Sequence, residues 1–211
     1  MDEQSALSGT YTGTPSLGQP TLVGSDQGNM SVSFGAVTQF VDYGNNYGFA
    51  PTGTFSAEAI IRPTTIDATV RRVIAKENAT GTGWSIVVSN AAAGYSFAFI
   101  RTDGAGAEDD CLWNLYPPSI NTTYHLSATY DGSNMHLYLN GIDSGATAST
   151  KDITNTARLL VAGTDKTGRN FLGQIDEVAI YNTALSQARV QAHVAAMPLN
   201  LFSPDRMPLG V

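Results

Sequence analysis

The sequence predicts an all-β protein: a jelly-roll sandwich of two antiparallel sheets, with one short C-terminal helix and extended terminal arms. Three observations predict it. Charged residues make up only 14% of the 211 residues while glycine numbers 21, a turn-rich composition rather than a helical one. About twelve short runs of alternating or continuous apolar residues are separated by Gly, Pro, Asn and Asp, the pattern of a sandwich or jelly roll. No internal repeat of 20–50 residues marks a solenoid or propeller.

Residues 1–20 are rich in Gly, Thr, Ser and Pro and read as an extended N-terminal arm. The domain is expected over residues 21–197. Met30–Phe34 alternates and reads as its first secure strand, and residues 40–43 as the second. Residues 54–62 place Phe55, Ala57, Ala59 and Ile61 inward, with Pro63 ending the ladder. Residues 70–76 form a further strand. Residues 84–89 and 95–101 form a meander pair, and 111–115 a short strand before Pro117 and Pro118.

Residues 124–140 read as a hairpin turning at Asp131-Gly-Ser-Asn134, with Tyr130 opposite Met135 and His125 opposite Asn140. Tyr124, Leu126, Ala128, Tyr130, Met135, Leu137 and Leu139 then share the core face. His125, Ser127, Thr129, His136, Tyr138 and Asn140 share the other, which is expected to face water.

The chain is organised around residues 158–194. Residues 159–161 are a buried strand and 163–170 a polar loop. Residues 171–181 are a long strand with Ile175, Glu177, Ala179 and Tyr181 on one face and Gln174, Asp176, Val178 and Ile180 on the other. Neither face is cleanly polar, so cover on both sides is expected. A helix starts at the N-cap Ser186, with Leu185 and Val190 at the spacing of a hydrophobic staple and Arg189 where Glu or Gln would close a capping box. Proline at 198, 204 and 208 rules out regular structure for residues 198–211, whose Leu199, Leu201, Phe202, Met207 and Leu209 need cover. This C-terminal arm is expected to dock on its own domain or on other chains of a larger assembly.

Three motifs carry a resemblance. Phe171-Leu-Gly-Gln-Ile-Asp-Glu-Val-Ala-Ile-Tyr-Asn-Thr-Ala-Leu-Ser186 resembles the closing motif of laminin G-like domains of the concanavalin A-like lectin/glucanase superfamily. The hairpin ending in Leu137-Tyr-Leu-Asn-Gly141 and the strand Phe55-Ser-Ala-Glu-Ala-Ile-Ile-Arg-Pro63 are similar to others of its elements. The resemblance implies a concanavalin A-like sandwich. It leaves function open, because one fold hosts many activities.

Net charge is −7 with no basic run, which argues against phosphate-driven nucleic-acid binding. The lone Cys111 allows no internal disulfide and reads as a small buried hydrophobe. Residues 1–9 lack the basic start and apolar core of a secretory signal, and no run approaches a membrane span. Release by lysis as part of a virus particle would explain this, as would a cleaved or recombinant fragment.

The superfamily's glucanases use a Glu-x-Asp-x-x-Glu strand, and this chain has none; Asp176 and Glu177 are adjacent and point to opposite faces. No enzyme is expected. His125 and His136 share a face but lie roughly 13 Å apart along the strands, too far to bind one zinc ion. His193 has no evident partner. The resemblance implies a structural calcium near Asp176, the alternative being that Asp176 bonds a nearby turn. Asp103, Asp109 and Asp110 form a second acidic loop, read as solvated. Glycan binding is the other inherited possibility, with His136, Tyr138 and Asn140 on the exposed face and Trp84 or Trp113 nearby as a platform.

Three functions follow: a non-catalytic structural or decorating protein of a phage-like virus particle, docked through its arms at the virion surface; a carbohydrate-binding module of a secreted or cell-surface bacterial protein; or a degenerate hydrolase domain.

Overall fold

The computed structural model describes residues 8–24, 28–90, 92, 94–115 and 117–197. In chain order the strands are β1 (Thr10–Thr12), β2 (Ser16–Pro20), β3 (Met30–Phe34), β4 (Phe40–Asp42), β5 (Phe55–Pro63), β6 (Arg71–Glu77), β7 (Gly83–Val88), β8 (Phe97–Thr102), β9 (Glu108–Trp113), β10 (Tyr124–Tyr130), β11 (Asn134–Leu139), β12 (Ile142–Asp143), β13 (Thr147–Ala148), β14 (Leu160–Val161) and β15 (Gly173–Tyr181), followed by helix α1 (Gln187–Ala196). One sheet runs β1-β4-β14-β6-β7-β8-β9 and the other β12-β11-β10-β5-β15-β3-β2, with β13 on β11. The expected sandwich of two antiparallel sheets is present.

The core is built by alternation. Ile74, Trp84, Ile86, Phe97, Phe99, Cys111 and Trp113 of the first sheet meet Phe55, Ala57, Ala59, Ile61, Leu126, Ala128, Leu137 and Leu139 of the second in one buried cluster. The hairpin has the expected register, with Tyr130 opposite Met135 and Ala128 opposite Leu137.

Three expectations are corrected. First, residues 10–20 are not a free arm. β1 pairs with β4 at one edge of the sandwich, and β2 pairs with β3 at an edge of the other sheet. Short, polar edge strands carry little hydrophobic signal, because an edge that reads as a core strand would invite aggregation. Second, the far face of the hairpin is not in water: His125, Ser127, Thr129 and Tyr138 are all buried. The segment leading into and through α1 crosses this face. Ser56 Oγ donates to the Thr183 carbonyl at 2.8 Å and accepts from Leu185 N at 2.8 Å, and His193 Nδ1 lies 2.9 Å from Glu58 Oε2. Glu58 is therefore the partner that the sequence did not reveal for His193. Third, β15 carries a bulge between Asp176 and Ala179. The extra residue resets the alternation, so Val178 and Ile180 pack on the core with Ile175, while Ala179 and Tyr181 oppose the outward Glu58 and Ser56.

The Ser186 hydroxyl caps α1 by accepting from Arg189 N. Cys111 is buried beside the Ser144 hydroxyl, and burial raises its thiol pKa. The docking residues Leu199, Leu201, Phe202, Met207 and Leu209 lie outside the described residues.

Candidate functional site

Two buried cations organise one end of the sandwich. Lys76 is in phase with Ile74 on β6, and Arg101 with Phe97 and Phe99 on β8, so both point inward from the first sheet. Each lies near the end of its strand, where the core gives way to loops. Lys76 Nζ donates to Asn45 Oδ1 at 2.9 Å and to the Ala157 carbonyl at 2.7 Å. Arg101 lays its guanidinium 3.6 Å from the centre of the Tyr130 ring and donates to Ser149 Oγ and to the carbonyls of Pro51 and Lys151. The two side chains thus staple loop 45–51 and segment 149–157 onto the same strand ends.

Between those segments lies a cavity of about 330 Å³, lined by residues 48–51 on one side, Ile153, Thr154 and Asn155 on the other, and Lys76 and Trp84 from the sheet. That volume is at the small end of the range for ligand pockets. Phe49 is fixed by stacking on Phe55, with ring centres 4.4 Å apart and planes 6° from parallel. Tyr47, just before this wall, holds φ at 54°, a left-handed conformation that a bulky side chain adopts only where its surroundings impose it. Asn155 Nδ2 donates to the carbonyls of Lys76, Thr82 and Ile153, which fixes its wall. Trp84 is buried, and its indole N–H has no hydrogen-bond partner among the described residues.

Neither cation forms an ion pair with a carboxylate among the described residues; their partners are amide, carbonyl and hydroxyl oxygens. Burial accordingly pushes the Lys76 pKa below the ordinary lysine value and lowers that of Arg101. Lys76 is thus a buried positive charge met only by neutral dipoles among the described residues, whereas Arg101 has Asp109 opposite it on β9.

Of the predicted glycan residues, only Trp84 lines this cavity. His136 and Tyr138 do come together, with rings nearly parallel and centres 6.0 Å apart, and His136 Nδ1 lies 2.9 Å from Asp143 Oδ2. Tyr138, however, is only 3% exposed and offers no open platform. Asn140, at φ 54°, has its side-chain oxygen committed to His125 N. Trp113 faces the core from the first sheet, so the second sheet separates it from Tyr138. The proposed platform is therefore not assembled. Lys76, Arg101, Phe49 and Asn155 were missed. For the cations the signal was available: each is a charge in phase with an apolar strand face.

In the acidic loop, Asp103 Oδ1 accepts from Ala105 N and Ala107 N, bonds that lower its pKa. Asp109 and Asp110 alternate faces on β9, opposite Arg101 and Ile100 respectively, and do not converge on a common point. Asp176 Oδ2 accepts from Thr21 Oγ1 at 2.9 Å and Leu22 N at 2.8 Å, and Oδ1 accepts from Glu177 N at 3.0 Å. A carboxylate ringed by donors ties the N-terminal segment to β15, and no group of three acidic, His or Cys side chains surrounds it among the described residues. These bonds are the turn-bonding alternative; a calcium ion, which takes six to eight oxygens, would need backbone carbonyls to complete its shell there. Asp176→Ala is expected to cost about 1–3 kcal/mol in urea denaturation, because the buried Leu22 N–H loses its acceptor. Calcium or chelator is expected to leave the wild-type melting temperature unchanged. A calcium-dependent rise that vanishes in the variant would instead place an ion on Asp176.

A family model described as the concanavalin A-like lectin/glucanases superfamily matches residues 26–191. No curated protein matches the chain in sequence. Among solved structures, the binding domain of Paraclostridial Mosquitocidal Protein 1 is similar at TM-score 0.72 and 14% identity, covering 90% of this chain and 47% of that one. Domain 4 of AbnA, a GH43 extracellular arabinanase from Geobacillus stearothermophilus solved with arabinotriose, is similar at TM-score 0.68 and 14% identity, covering 87% and 86%. The ligand binding domain of botulinum neurotoxin serotype D, solved with N-acetylneuraminic acid, is similar at TM-score 0.65 and 14% identity, covering 90% and 47%. The chain thus spans about half the length of the two toxin domains. At these identities the likeness shows the fold.

Proposed function

The chain belongs to the concanavalin A-like lectin/glucanase superfamily, and from that premise we propose that it is a non-catalytic carbohydrate-binding module that holds a saccharide in the cavity between residues 48–51 and 153–155. The observation that carries this reading is the cavity's make-up: an immobilised aromatic ring, Phe49, beside the fixed ammonium of Lys76, on a wall that Asn155 pins in place. Saccharides are held by an apolar face against an aromatic side chain and by hydrogen bonds to groups that do not move. The fold is shared with an arabinanase domain solved with a sugar and with toxin binding domains, which supports a binding role outside cells or at a cell surface. No helix among the described residues is long and apolar enough to cross a membrane. The docked-particle reading rests on residues 198–211, and the binding domains that share this fold favour the module instead.

A glycan array followed by calorimetry tests the proposal. Wild-type protein is expected to retain a defined saccharide, and Phe49→Ala to weaken it by about tenfold or more without unfolding the sandwich, as loss of an aromatic contact and its buried area predicts. An array with no retained saccharide, or a Phe49→Ala variant that binds like wild type, would sink the reading.

A further inference from the structure

We propose that the cavity selects an acidic saccharide, one whose carboxylate or sulfate group is neutralised by Lys76; this rests on the cavity being the saccharide site. Four observations lead there. Lys76 is 2% exposed, so its ammonium has been taken out of water. Its partners, Asn45 Oδ1 and the Ala157 carbonyl, are neutral, so desolvation is met by dipoles and not by a counter-charge. Arg101, on the neighbouring strand but one, is buried at the same strand ends on hydroxyl and carbonyl oxygens, and its charge is already answered in part by Asp109 opposite it, which leaves Lys76 as the cation free to take an anion. Trp84, on the strand between them, contributes a buried N–H that lacks an acceptor among the described residues.

A lining that holds one buried cation on neutral partners, and an indole N–H without an acceptor among the described residues, favours acceptors and negative charge. A neutral sugar hydroxyl would add little to the neutral oxygens Lys76 already holds. An anionic group supplies what the protein withholds, and at a site removed from water the attraction is only weakly screened. An acidic protein would ordinarily repel such ligands, so the Lys76 charge in the cavity wall defines both where they bind and which are chosen.

The test follows the two indole N–H resonances by NMR while full-length protein is titrated with D-glucuronate, its methyl ester and D-glucose. Trp84→Phe assigns the Trp84 signal. Glucuronate is expected to shift that signal and to bind at least about tenfold more tightly than the methyl ester or glucose, the fold-change of one charge-assisted hydrogen bond. Lys76→Gln is expected to abolish the preference. The comparison of glucuronate with its ester is made on the wild-type protein, so it stands even if the Lys76 variant is destabilised. Equal binding of all three probes would overturn the anion preference and leave the saccharide site standing. A Trp84 signal indifferent to every probe would overturn both for this cavity, while array binding insensitive to Phe49→Ala would then place the saccharide elsewhere.

Discussion

Leu137→Ala is expected to destabilise the protein by about 2–5 kcal/mol, the cost of removing a buried leucine and leaving a cavity. Leu137 is fully buried, opposite Ala128 in the central hairpin, and belongs to the cluster that joins the two sheets. Its alanine neighbour cannot expand to fill the void, and β10 beside it is held by continuous ladders on both sides, so relaxation should be small and the cost toward the upper end. For a domain of this size the melting temperature should fall by roughly 4–20 °C. Equilibrium urea denaturation measures it. A loss below about half a kilocalorie would mean that the face or the register of the hairpin is wrong.

Gly83→Ala is expected to cost more than about 3 kcal/mol and to take the cavity with it. Gly83 opens β7 at φ 137°, a conformation that L side chains rarely adopt. An added Cβ would sit 1.9 Å from the Lys76 carbonyl oxygen and 2.7 Å from Asn155 Nδ2. The first contact is backbone against backbone inside a ladder and cannot be relieved by a rotamer change. The second displaces the amide that fixes one cavity wall. Gly94→Ala is the control. It too has positive φ, 86°, but no atom lies within 4 Å of the added Cβ, so only the backbone term of about 1 kcal/mol should appear. Similar losses for the two variants in urea would show that packing around Gly83 yields, and that the cavity wall does not depend on a bare backbone there.

What the sequence by itself determined is the sandwich and its inner face. Phe55, Ala57, Ala59 and Ile61 alternate inward as read, and the Asp131-Gly-Ser-Asn134 turn sets the register that puts Leu137 opposite Ala128. Period and turn chemistry are local, and they suffice wherever one side of a strand faces core. What only the tertiary structure decided is everything that depends on a third element arriving. The outer face of β10 looked solvated until α1 lay across it. The alternation of β15 failed beyond Asp176 because a bulge between Asp176 and Ala179 shifts its register against β5. β1 and β2 read as an arm because edge strands are kept polar. The cavity is assembled from residues far apart in the chain: loop 48–51, a segment a hundred residues later, and two strand ends between them. Lys76 and Arg101 were visible as charges on apolar faces, but a charge at such a position is either an error of phase or a buried cation. Which of these it is depends on whether loop carbonyls converge on it, and loop closure across a hundred residues leaves no periodic mark in the sequence.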